Sequence, residues 1–341
     1  MKWNAHGHLL PYPGEIPRFM KERRLFWVED DMSSMCQGDW RRPVTDPSFF
    51  LDAKLAWMDE QGIDVEVLLT LSQLYCNGYS RHDAFDVVRF QNDYHASIQQ
   101  MHADRFVAGF VLQPLYLDDA LQEMERCVNT LGLRVLCLPS HFLNQEGQWT
   151  AIADASTVPL FELANEYKLA VEIHPYNAEE IVALQDKFWR FHLIWMCAQT
   201  ADAWHFFSLL DFPDRFPDVR TCFAHGNQFG IVGQGRRRKG FYGRPDLFVG
   251  AKDPANESSW KNVYFDSIVH DALSFEMLVR RVGAAQVVAG LDDPYPLGEM
   301  PDQFGCYPGK VIDDALESGV ISEEELKSIW HSNVRTWLFG E

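Results

Sequence analysis

Short apolar runs alternate with longer amphipathic stretches along most of this chain. Leu169-Ala170-Val171-Glu172-Ile173-His174-Pro175, Thr221-Cys222-Phe223-Ala224-His225-Gly226 and Val287-Val288-Ala289-Gly290-Leu291-Asp292 are each mostly apolar and bounded by Gly or Pro, which is how a buried parallel strand reads. Further runs at residues 1–8, 64–71, 106–112, 134–138 and 263–266 bring the expected strands to eight. Between them the pattern predicts helices over 47–61, 83–103, 118–131, 158–167 and 178–210, with two more at 309–318 and 322–339. The first has Phe50, Leu51, Leu55 and Met58 on one side and Gly62 as its stop. Ser322 followed by Glu325 forms a capping box at the last. Eight strand-helix units predict an α/β fold, a (β/α)8 TIM-type barrel in one domain spanning 1–341. Residues 10–46, polar and aromatic without a clear period, are expected as a loop insertion over the active face.

What the strands end in changes the picture. His6 and His8, two residues apart on an extended segment, point the same way and can share one metal ion. His174, His225 and Asp292 close three other runs, and a barrel gathers its strand ends on one face. His6, His8, His174 and Asp292 make four ligands for one divalent ion, with zinc preferred by its affinity for imidazole and carboxylate. An open position would then leave room for water or substrate. His225 is either a further ligand or the group that moves a proton; with four ligands assigned, it takes the acid/base role. The fourth strand carries no lysine to bridge two metals, which favours a single ion.

Composition narrows the partners. Against 49 acidic side chains stand 30 basic ones, a net charge of −19, and phosphate contacts would need a basic face, so nucleic acid is excluded as a partner. The run Arg236-Arg237-Arg238-Lys239 is the exception, either a solvated helix end or a local attraction for an anionic substrate or an acidic neighbouring subunit. No stretch approaches the roughly 20 apolar residues of a membrane span, and the start of the chain does not read as a signal peptide. Seven scattered cysteines without a Cys-x-x-Cys pair suit reduced thiols in the cytoplasm. Lys187-Phe188-Trp189-Arg190-Phe191-His192-Leu193-Ile194-Trp195-Met196 is apolar on several faces, as expected of a helix packed on a second subunit. Asp39-Trp40-Arg41-Arg42 sets two cations beside an indole and could hold a substrate carboxylate.

Together these segments carry a family likeness. His6-Gly7-His8-Leu9-Leu10-Pro11, Met58-Asp59-Glu60-Gln61-Gly62, Arg105-Phe106-Val107-Ala108-Gly109, Ile173-His174-Pro175, Cys222-Phe223-Ala224-His225-Gly226, Gly243-Arg244-Pro245-Asp246-Leu247, Val269-His270-Asp271 and Asp292 with Pro296-Leu297-Gly298-Glu299 run in order through almost the whole chain. The chain resembles the amidohydrolase superfamily and, within it, the metal-dependent decarboxylases. The resemblance implies one metal, usually zinc, on His6, His8, His174 and Asp292, and acid/base work at His225. It also implies two arginines on the substrate carboxylate. Arg41, or its neighbour Arg42, matches the first; Arg244 matches the second, which crosses the interface of a homodimer.

The departures are Asn4 where the family usually has Asp, Leu291 where it has Thr or Ser, and Asp293 where it has an aromatic ring or His. An extra carboxylate beside a metal ligand would repel an anionic group, attract an amino group or carry a second proton. Asp293 is therefore expected to touch substrate, as is Trp195, near where the family places an aromatic residue. The expected activity is nonoxidative decarboxylation of a small carboxylated aromatic or ring-cleaved muconate semialdehyde. The alternative is a metal-dependent hydrolase or hydrolytic deaminase acting on a related compound.

Overall fold

The structure, a computed structural model, describes residues 1–175 and 187–341. Eight parallel strands form one sheet in chain order: β1 (Trp3–Gly7), β2 (Val65–Leu68), β3 (Phe106–Val111), β4 (Val135–Pro139), β5 (Ala170–His174), β6 (Arg220–Phe223), β7 (Val263–Asp266) and β8 (Val287–Val288). Each is followed by a helix: α1 (Leu51–Gln61), α2 (Arg81–Met101), α3 (Leu117–Asn129), α4 (Val158–Glu166), α5 (Met196–Leu209), α6 (Gln228–Gly243), α7 (Ala272–Val282) and α8 (Lys310–Glu317). The sheet closes on itself: Ala5 N–H donates to Ala289 O at 2.7 Å, Asp292 N–H to His6 O at 2.7 Å, and Gly7 bridges Asp293. The expected (β/α)8 barrel is the observed one.

Alternation along the strands separates two apolar layers. On β4, Leu136 and Leu138 join the cluster under the helices, while Val135 and Cys137 join the other, inside the barrel. Register sets Glu172 of β5 level with Cys137 of β4 and Cys222 of β6, so Glu172 lies inside the barrel and His174, two residues on, shares its face at the strand's end. Helices supply the outer layer. α3 buries Ala120, Met124, Cys127 and Val128, spaced for one helical face, and α1 stops at Gly62 in the left-handed conformation (φ 68°).

Four stretches differ from the pattern-based expectation, one of them α7, a helix the pattern did not set out. The insertion is ordered: a short helix, Arg18–Glu22, and an antiparallel sheet of Trp27–Val28, Ser34–Gln37 and Trp40–Pro43, whose two- to four-residue strands are too short to show a period. Gln37 Nε2 ties it down, donating to Gln73 O (2.7 Å) and Tyr79 Oη (2.8 Å). Of the helix expected over 178–210, residues 178–186 lie outside the described residues; a π-helical turn, Phe191–Trp195, then leads into α5. α6 was not foreseen because five glycines dilute its helical signal. Gly230 is required there, since a Cβ would meet the Asn227 side chain. The capping box at Ser322 is present, with Ser322 N–H on Glu325 Oε2 at 2.8 Å. None of the described helices is long and apolar enough to cross a membrane.

Candidate metal centre and substrate cavity

Strand ends β1, β5 and β6 and the turn after β8 bring His6, His8, His174, His225 and Asp292 together. Ligand atoms of His6, His174, His225 and Asp292 all lie within 4.8 Å of one another. His8 Nε2 is 3.2 Å from His6 Nε2 and 3.1 Å from Asp292 Oδ1. Each of three rings is tied by its other nitrogen to a group that can only accept: His6 Nδ1 to Asp266 Oδ2 (2.8 Å), His8 Nδ1 to Leu69 O (3.0 Å), His174 Nδ1 to Pro175 O (2.8 Å). The Nδ1 atoms must therefore carry the protons, and three Nε2 lone pairs face one carboxylate. Acceptors so crowded need a cation between them, and a divalent ion with ligands at about 2 Å has that spacing. The residues present fit a metal.

The electrostatics agree. Burial pulls His6 down, but its hydrogen bond to Asp266 and the Asp292 charge outweigh it and raise its pKa to about 9, so without an ion one proton takes the cation's place. Burial and the neighbouring imidazoles of His225 and His6 hold His174 well below the usual range, and burial lowers His8. Burial alone would push Asp292 up; hydrogen bonds from His225 and His8 and the adjacent imidazoles hold it well below an ordinary carboxylate. Beneath the site, burial raises Glu172 to about 8, neighbouring carboxylates adding to the effect.

Asp266, at the end of β7, was not expected to matter. It donates no ligand to the group, yet accepts His6 Nδ1–H, His225 N–H (2.9 Å), Gly226 N–H (2.8 Å) and Ile268 N–H (3.1 Å). Those bonds hold His225 and Gly226 in left-handed backbone (φ 56° each). His270 (φ 63°) and Asp292 (φ 52°) share that conformation around the same cavity. Such backbone costs energy in non-glycine residues and clusters at functional sites. His225 Nε2 stands 3.7 Å from Asp292 Oδ2.

A cavity open to solvent lies over these residues. Its apolar walls are Leu71, Leu193, Met196, Ile268 and Leu297, and Arg42, Gln73, His192, Gln228, His270 and Tyr295 add polar groups. Arg42, not Arg41, faces it, its guanidinium 4.5 Å above the Tyr295 ring. Arg41 turns outward to Glu29 because neighbours on a strand point to opposite sides. Asp293 is also corrected: it is fully buried against Lys54 and Asn4 and does not line the cavity. Trp195 stays off the wall under the Arg190 guanidinium, and His192, Leu193, Met196 and Cys197 line it instead. Arg244 is exposed and forks onto Asp246 (2.9 and 2.7 Å), away from this chain's own cavity. The strand-end position of Asp266, shared with the proposed ligands, is the signal of it in the sequence; His270, in Val269-His270-Asp271, also lines the cavity.

An amidohydrolase family model matches residues 3–339. Curated relatives include two 2-amino-3-carboxymuconate-6-semialdehyde decarboxylases. The one from Dictyostelium discoideum is 27% identical, the match covering 96% of this chain and 89% of the relative; the one from Caenorhabditis elegans is 25% identical, covering 98% and 93%. Among solved structures, 5-carboxyvanillate decarboxylase from Sphingomonas paucimobilis superposes with a TM-score of 0.74 over 99% of this chain and 98% of its own, at 17% identity. That likeness establishes the fold.

Proposed function

This chain belongs to the amidohydrolase family, and from that premise we propose that it is a metal-dependent nonoxidative decarboxylase of a small carboxylated aromatic or ring-cleaved muconate semialdehyde. The observation that carries the reading is the convergence of three imidazole lone pairs on Asp292, beside His225 and Arg42, in one cavity. His6, His8, His174 and Asp292 would hold the ion, with zinc preferred for this donor set. The ion would supply positive charge that draws electrons from a substrate oxygen.

The chain's own residues do the rest. Leu71, Met196, Ile268 and Leu297 take the flat face of the substrate and exclude water, while Arg42, steadied over Tyr295, matches a carboxylate. His225, fixed through its backbone by Asp266, delivers a proton to the carbon bearing the carboxylate. The bond to the carboxylate then breaks, its electron pair returns to the ring or conjugated chain, CO2 leaves, and His225 takes a new proton from solvent. The hydrolase or deaminase alternative leaned on Asp293 as a group within the cavity, and its burial removes that support.

We further propose a homodimer through the apolar segment 187–196, where Phe188, Leu193 and Ile194 are exposed, together with exposed Phe206, Leu210, Phe229 and Val232 of the two helices that follow. Arg244 would have to leave Asp246 to reach a partner's cavity. Seven free cysteines agree with a cytoplasmic location.

The test is turnover of hydroxylated, aminated and nitrated benzoates and muconate semialdehydes by metal-loaded protein, following CO2 and ammonia together. CO2 without ammonia is expected, falling about 10²- to 10⁴-fold in His225→Ala. Ammonia, or a hydrolysis product without CO2, would overturn the reading.

A further inference from the structure

Behind the ligands, where β1, β2, α1 and the turn after β8 meet, four polar side chains have no exposure at all: Asn4, Lys54, Glu66 and Asp293. None of them lines the cavity. An ammonium buried between two carboxylates adds little net stability over an apolar core, so the directions of the contacts are the informative part. Asn4 uses its whole hydrogen-bonding capacity. Its Oδ1 accepts His6 N–H and Leu291 N–H, both at 3.0 Å, and its Nδ2 donates to Asp293 Oδ1 (2.7 Å) and Glu66 Oε2 (3.1 Å). Lys54 Nζ bridges Glu66 Oε1 (2.6 Å) and Asp293 Oδ2. The Asp293 carbonyl accepts His8 N–H at 3.0 Å.

The cluster thus reaches the backbone of three proposed ligands: His6 through Asn4, His8 through Asp293, and Asp292 through the residues on either side of it. It also accounts for the glycine between the two histidines, since a Cβ on Gly7 would run into the Glu66 carboxylate.

We infer that Asn4, Lys54 and Asp293 are positioning residues for the metal centre, a buried clamp fixing β1 to β8 in the register at which His6, His8 and Asp292 face one ion. Glu66 and Asp293 both accept from position 4, so that position must offer an NH2 group. A carboxylate there would remove both donors and set a third acceptor beside two others. The amide at 4 and the carboxylate at 293 therefore depend on each other, and exchanging them should restore the bond between the two and so repair part of what either change alone breaks. The inference concerns the ion's holder alone and stands whichever reaction the site performs.

The test uses Asn4→Asp, Asp293→Asn and the double exchange, each loaded with Co2+. Metal affinity is read by chelator competition, ligand geometry by the visible d–d absorption, and stability by melting of the metal-free protein. Asn4→Asp should weaken metal binding about 10- to 100-fold and change the cobalt spectrum, and the double exchange should recover about tenfold or more of that loss. Should Asn4→Asp fail to fold, Asn4→Ala, which loses both donors to the carboxylates, is measured in its place with the same direction expected. Losses that simply add in the double exchange would overturn the inference. So would a single variant that melts earlier yet keeps the parent's affinity and spectrum, because the cluster would then be scaffold only.

Discussion

Replacing Asp266 by Asn tests whether the proton positions inferred for the ligands are the ones that matter. Asp266 is 1% exposed and receives four N–H donors, His6 Nδ1 and His225 N on Oδ2, Gly226 N and Ile268 N on Oδ1. Burial would raise its carboxyl, but the bond and charge of His6 and the nearby His225 hold it below the usual range, so it is the ionised form that takes these donors. An amide has one accepting oxygen. Whichever way it turns, its NH2 meets two of the four donors. Each bond to a charged group is worth about 1.5–3 kcal/mol, so two amount to roughly 3–6 kcal/mol before relaxation. The protein can relieve the clash in two ways. His6 can shift its proton to Nε2, which removes that nitrogen as a ligand, or the left-handed backbone at His225 can relax by about 1–2 kcal/mol and carry the imidazole from Asp292. The first route lowers metal affinity about 10- to 100-fold, and the second lowers turnover at saturating metal. Chelator competition measures the first and initial rates at excess metal the second. An Asp266→Asn protein within about threefold of the parent in both would refute the tautomer assignment and the role given to Asp266.

Arg42→Gln should raise KM about 10- to 100-fold through loss of a charge-assisted pair, while Arg41→Gln, which breaks only an exposed pair with Glu29, should change it less than about twofold; the opposite order in steady-state kinetics would return Arg41 to the site. Glu299 accepts Gly309 N–H at 2.7 Å at the start of α8, and burial raises its pKa from 4.5 to about 8 despite that bond. Between those values the folded protein keeps a proton that the unfolded chain has released, so its contribution is full below pH 4.5 and is lost as pH rises toward 8. Glu299→Gln should therefore gain stability relative to the parent at about pH 8 but not at about pH 5; urea unfolding with an equal difference at both would sink this assignment.

The barrel and the convergence of its strand-end histidines and Asp292 were legible because topology makes them so. A buried parallel strand must read as an apolar run, and a polar residue where the run stops has only the open end of the barrel to face. His6, His174 and Asp292 could therefore be brought to one place without coordinates. Arg41 and Arg42 could not be told apart for the converse reason. The side chains of Trp40–Pro43 alternate between half-buried and exposed, so one shift of register exchanges the two arginines, and a four-residue strand inside an irregular insertion leaves no period from which to set it.

Asp293 was misjudged for a different reason. Next to a metal ligand, a carboxylate reads as a group of the cavity, and Lys54, on a helix, reads as a solvated cation, because isolated charges are seldom buried. Each makes the other's burial tolerable, across 239 residues of chain, and neither position shows this by itself. Asn4 is the link that could have revealed it. Beside two buried carboxylates an amide is the side chain that both donates to them and accepts the ligand backbone, so Asn in place of Asp implies that a negative charge stands elsewhere nearby. The amide at 4 and the carboxylate at 293 are on this account one device, each supplying what the other needs. Between them they hold the backbone of the proposed metal ligands from both sides.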